Sequence, residues 1–253
     1  MALIAIYAVC QLILVQILFF PLIATHAIEF SESGTKFTSN VAIVLMCLVS
    51  LVSLIIPACM AEKSLHMFEF KKAFAPTGLS FPYSAMLLAV GMIGAFGAWI
   101  LCDLMGLPDN LADDFAAMMH HPFGVLTGCV LAPVGEEILF RGAIQEWMHR
   151  YGMKPAWAIF FSALIFGVIH MNPVQMVDAS LAGIILGILY WKTRSLILPS
   201  LLHIIANSLS VVISQTWQEQ SFSDIFGGTV PAVLVMATCL AVWGVVYWRF
   251  IKR

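Results

Sequence analysis

Charged residues are scarce in this sequence. Asp, Glu, Lys and Arg supply 10% of its 253 residues, against about a quarter in an ordinary soluble domain. That scarcity excludes a conventional soluble fold, and no nucleic-acid partner is expected. The six cysteines, Cys10, Cys47, Cys59, Cys102, Cys129 and Cys239, form no CxxC and lie within or at the ends of apolar runs. They read as small core hydrophobes, not disulfides or metal ligands. There is no HExxH, the helix that supplies ligands and base in zinc metalloproteases. There is no Gly-x-Ser-x-Gly and no pair of aspartates buried in separate apolar runs. The nearest aspartate, Asp178, is expected at the outer end of a run as a solvated carboxylate. Internal repeats, low-complexity tracts and Gly- or Pro-broken paired helices are also missing. The N-terminus has no basic n-region and no small-residue cleavage site, so it reads as a retained span, not a signal peptide.

What the chain has is apolar length: 61% hydrophobic residues and a mean hydropathy of +0.96. A helix needs about 20 apolar residues to cross a bilayer. Eight runs qualify, near residues 2–24, 40–61, 83–102, 122–148, 155–171, 175–193, 196–216 and 228–249. The expected fold is therefore all-α, a polytopic transmembrane helix bundle forming one integral membrane domain over 1–253. Ten of the twelve Lys and Arg residues fall in alternate loops or the C-terminal tail, and acidic residues dominate the intervening loops. Basic loops stay cytoplasmic, so both termini are expected on the cytoplasmic side of a cell membrane. Two short interfacial helices are expected, in 62–82 and 107–121. Gly91–Ala95, Gly94–Ala98 and Gly183–Gly187 are small-residue pairs that let helices approach closely.

The run from Gly124 to Phe140 contains two adjacent carboxylates, Glu136 and Glu137, with Arg141 next to it and Glu146 just beyond. An ionised group at a bilayer centre costs roughly 2.5–3.5 kcal/mol on insertion scales. Residues four apart share a helical face, so Glu137 pairs with Arg141. Glu136 points elsewhere without that partner, as suits a general base. A fifth run carries Phe166 and His170 four apart, and a seventh carries His203 and Asn207 four apart. One intramembrane His or Asn alone reads as a helix–helix hydrogen bond. Three helices each presenting such groups favour one shared polar cavity.

The ordered set GluGlu-x-x-x-Arg, Phe-x-x-x-His and His-x-x-x-Asn resembles the CAAX-processing and bacteriocin-processing (CPBP, Abi-type) intramembrane proteases, over about residues 120–215. That family includes the eukaryotic prenyl-protein endopeptidase. The resemblance implies an eight-helix bundle with a catalytic core that hydrolyses a peptide bond of a membrane-bound protein or peptide. It assigns Glu136 as the base that deprotonates water, His170 as the group that orients the water, and His203 with Asn207 as oxyanion donors. Glu137, Arg141 and Phe166 would support them. No cofactor is required, although Glu and two His are legitimate zinc ligands and the family has been labelled metallo-endopeptidase. Two alternatives stand beside it: a non-catalytic membrane immunity or scaffold protein, and a proton-coupled transporter. The sequence does not specify an oligomeric state.

Overall fold

The computed structural model describes residues 28–31, 34–37, 40–63, 70–217 and 220–252. The expected span over 2–24 lies outside the described residues. Among the described residues, ten helices follow one small hairpin. The hairpin pairs β1 (Ile28–Ser31) with β2 (Gly34–Phe37) antiparallel, Ile28 opposite Phe37, and is the one departure there from an all-helical chain. The helices are α1 (Asn40–Lys63), α2 (Phe70–Ala73), α3 (Phe81–Met105), α4 (Ala112–Met119), α5 (Pro122–Arg150), α6 (Pro155–Val168), α7 (Pro173–Thr193), α8 (Ile197–Thr216), α9 (Phe222–Ile225) and α10 (Thr229–Lys252). Five of them, α3, α5, α7, α8 and α10, are long and apolar enough to cross a membrane. The chain is a helical membrane bundle.

The expected span over 155–171 is corrected. Helix α6 ends at Val168 after 14 residues, about 21 Å of rise against roughly 30 Å of hydrocarbon. The remainder of that run is the turn that carries His170. Helix α1 runs 24 residues with no charged residue before Glu62, in keeping with the expected span over 40–61. The two surface segments contain the short helices α2 and α4.

Proline sets several helix starts, standing in the first turn of α3, α5, α6 and α7. Its missing N–H is no loss there, because the first-turn donors have no intrahelical acceptor. Close packing then depends on the small residues. A Cβ on Gly94 would lie 2.7 Å from Trp243 Cγ, so this glycine lets α3 and α10 touch. A Cβ on Gly183 would lie 2.8 Å from Ala163 Cα and 3.3 Å from Arg141 Nη2. That bare position on α7 admits both α6 and the guanidinium of α5. Helix α7 packs against α3, α5, α6 and α8 and is the centre of the bundle.

Glu146 lies away from the polar interior, at the basic end of α5. Its Oε1 accepts from Arg150 (3.2 Å), and its Oε2 accepts from Arg194 (2.6 Å) and the Tyr190 hydroxyl (3.2 Å). The two arginines are half exposed, so those ion pairs add little. The buried tyrosine hydroxyl has more to lose. Glu146→Ala is expected to lower stability by about 1–2 kcal/mol, read as a lower Tm in detergent, with the proposed activity kept at permissive temperature.

Candidate active site

Helix α5 is not uniformly α-helical. Residues Thr127–Leu131 and Ile138–Gln145 are π-helical, flanking the α-helical stretch Ala132–Glu137. Single-turn π segments recur at functional sites because each inserts an extra residue and redirects side chains. The first has a readable cause. Ala132 N–H bonds to Thr127 O in the i→i−5 pattern, and the next donor in that register would be residue 133 to Gly128 O. Residue 133 is proline and has no N–H. The orphaned Gly128 carbonyl is taken by Asn207, whose Nδ2 donates to it at 3.0 Å from α8. Asn207 therefore has a structural duty as well as one remaining N–H.

Glu137 and Arg141 are fully buried and paired, with Arg141 Nη1 donating to Glu137 Oε1 at 2.7 Å. The same oxygen faces His203 Nδ1 at 2.9 Å. An ionised carboxylate only accepts, so His203 carries its proton on Nδ1. The opposite nitrogen, Nε2, faces Glu136 Oε2 at 3.6 Å. His203 thus stands between the two adjacent glutamates, one at each ring nitrogen. The i, i+1 divergence on one helix is bridged by a single imidazole from another.

His170 lies two residues beyond α6, in the α6–α7 turn. Its Nδ1 is 2.7 Å from Phe166 O; a carbonyl accepts only, so Nδ1 donates and Nε2 is left as an acceptor. Met171 takes a left-handed φ of 51°, which reverses the chain into α7. Asn172 holds that turn from the outside. It is buried, its Nδ2 donates to Asp109 Oδ1 at 2.8 Å, and its Oδ1 accepts from Asn110 N–H at 3.0 Å. Phe166 is the common wall. Its ring lies 4.6 Å from the Arg141 guanidinium carbon and meets the His170 and His203 rings edge-on at 5.0 and 5.7 Å.

Glu136, Phe166, His170, His203 and Asn207 line one cavity of about 460 Å³. Glu137 and Arg141 do not line it and stand buried behind it. The cavity reaches the helix ends that carry the 107–111 connection, where its wall residues Asp109 and Ser214 are exposed. Residues 119–209 match the family model described as type II CAAX prenyl endopeptidase Rce1-like. The similarity is to that family and covers this segment alone. Two curated relatives align weakly. An Escherichia coli "Uncharacterized 24.3 kDa protein" is 28% identical over 95 residues, 35% of this chain and 42% of that protein. The Bacillus subtilis (strain 168) "Putative membrane peptidase YdiL" is 25% identical over 96 residues, 36% of this chain and 37% of that protein. The chain thus spans about two fifths of the length of these relatives. No solved structure matches it.

Two residues beside the candidate site have roles that the sequence does not announce. Asp178 was expected as a solvated carboxylate at a span's outer end. It lines the cavity instead, with Oδ1 shielded from solvent, because α7 starts at Pro173 beneath the Asn172 turn and carries its first turns along the cavity wall. The signal for Asn172 is local, since Asn-Pro is a signature of a helix start.

Proposed function

We propose that this chain is an intramembrane endopeptidase that hydrolyses a peptide bond of a membrane-associated or lipidated protein, with water as the nucleophile. The observation that carries this reading is the convergence of Glu136, His170, His203 and Asn207, from three separate stretches of chain, on one cavity wall. The Rce1-like match supports the same reaction class. Glu136 takes a proton from water while His170 Nε2 accepts the water's other hydrogen and fixes its lone pair toward the carbonyl. As the carbonyl becomes tetrahedral, charge gathers on its oxygen. Asn207 donates its free amide N–H there. His203 acts through Nε2, since Nδ1 is committed to Glu137. Donation from Nε2 requires both ring nitrogens protonated, a cation that Glu136 and Glu137 flank on either side. Glu136 then returns its proton to the leaving amine.

Arg141 and Glu137 act as positioning groups, one holding the other and both holding His203. The chemistry proposed here needs no zinc. Both imidazoles turn Nδ1 to protein acceptors and leave Nε2 free, as zinc-ligating histidines do, but among the described residues no three His, Cys, Asp or Glu side chains are grouped to hold a metal ion. Purified protein is therefore expected to keep peptide cleavage within about twofold in excess chelator, the metal being no part of the transition-state contacts. Full loss that zinc alone restores would overturn that step. The orientation we propose puts the basic loops and both termini in the cytoplasm. The primary test is mass spectrometry of membrane proteins from cells with the natural chain and cells with Glu136→Gln. New C-terminal or N-terminal peptides present only in the former support the reading, and indistinguishable peptide profiles count against it.

A further inference from the structure

The cavity wall holds more carboxylate than the proposed reaction uses. Besides Glu136, Asp178 on α7 and Asp109 on the α3–α4 connection line it, and among the described lining residues there is no Lys or Arg. The two extra carboxylates differ. Asp109 is exposed at the rim, and its Oδ1 already accepts from Asn172 Nδ2 and Leu111 N–H. Asp178 lies deeper. Trp99 lies beside its side chain, and Oδ1 is shut off from solvent with no hydrogen-bond partner among the described residues.

A carboxyl oxygen shut off from solvent without a donor is an expensive feature. His203 bears on Asp178 electrostatically, but its two ring nitrogens face Glu137 and Glu136, so it gives Oδ1 no hydrogen bond. The partner that matches is a cation arriving from outside. The route is graded in the same sense, from an exposed aspartate at the rim to a desolvated one beside the reacting groups. Negative walls of low dielectric concentrate positive groups. Resting on the peptidase reading, we propose that the cavity selects peptides with a positive group near the scissile bond, a Lys or Arg side chain or a free α-amine. Asp178 is its specificity-determining residue.

The test uses the full chain in nanodiscs and short apolar peptides. N-acetylated peptides identical except for Lys, norleucine or Glu at one position are scanned across the cleavage region. A norleucine peptide with a free N-terminus separates an α-amine from a side chain. Both kcat/KM and Kd are measured, the latter also with Glu136→Gln, so that selectivity is read even if nothing is cut. The natural chain is expected to prefer Lys over norleucine by roughly tenfold or more, as a polar pocket rejects an analogue lacking its partner. Asp178→Asn is expected to shrink that ratio to within about twofold, with Asp178→Glu keeping part of it. Two results overturn the proposal: no preference for a positive group at any position, or an Asp178→Asn variant that weakens every peptide equally. The second would make Asp178 a counter-charge for His203 only. Cleavage without selectivity sinks this proposal and leaves the peptidase; selective binding without cleavage does the reverse.

Discussion

Glu136→Gln is expected to give a folded, membrane-inserted protein whose peptide cleavage falls by at least about 10³-fold. The amide keeps the size of the carboxylate but cannot take a proton from water or return one to the leaving amine. General acid–base catalysis at one step is worth about 10²–10⁴, and here one group serves both steps. The fold should survive because Glu136 is less buried and less entangled than Glu137 and Arg141. Its side chain is 17% exposed, and the ion-pair partner found for it is His203 Nε2 at 3.6 Å, so the change strands no buried cation. Cleavage is measured on peptide substrate in nanodiscs, with the thermal melt as the control for folding. Retention of activity within about tenfold would remove Glu136 from the chemistry and with it the hydrolytic reading. The same variant separates the alternatives. A scaffold keeps its cellular phenotype with Glu136→Gln, and a proton-coupled transporter shows its defect as lost ion flux in liposomes.

The helical bundle and the polar constellation were legible in the sequence because each has a periodic or energetic signature. Long apolar runs require spanning helices, and i, i+4 spacing places Glu137 with Arg141 and Phe166 with His170. Local register was harder to read. Hydropathy ran 155–171 together, although the chain breaks helix at Val168; an apolar turn over Ile169 and Met171 looks the same as more helix. Pro133 lies within the run from Gly124 to Phe140, but its consequence cannot be read from that run alone. The π register, the stranded Gly128 carbonyl and the reach of Asn207 to it depend on a second helix lying alongside. Asp178 was misplaced for the same reason. A carboxylate near a span's end is ordinarily solvated, and only the packing of α7 under the Asn172 turn puts this one in the cavity wall. The link between Glu136 and Glu137 through one imidazole is likewise tertiary, and no spacing within α5 encodes it.

The largest stability effect is expected at Arg141. Arg141→Ala leaves Glu137 fully buried, with His203 Nδ1 as its one remaining donor among the described residues, and removes the guanidinium from the face of Phe166. Breaking a buried pair on one side costs about 3–5 kcal/mol, because an uncompensated charge stays behind. That is a large share of the roughly 5–15 kcal/mol by which proteins are stable. The variant should therefore be depleted from membranes, and what remains should melt well below the natural chain. Arg141→Met with Glu137→Gln should behave differently. It replaces the ion pair by groups of similar volume, a change that is often neutral for stability, so most of the melting temperature should return. Activity should not, because an amide at position 137 no longer offers the carboxylate that fixes the His203 proton on Nδ1 and balances a cationic ring. A double variant as unstable as Arg141→Ala would mean that the guanidinium's packing on Phe166 and Gly183, not its charge, holds the core. A single variant that melts like the natural chain would show that Glu137 tolerates losing its partner, and the account of Arg141 as the anchor of His203 would fail.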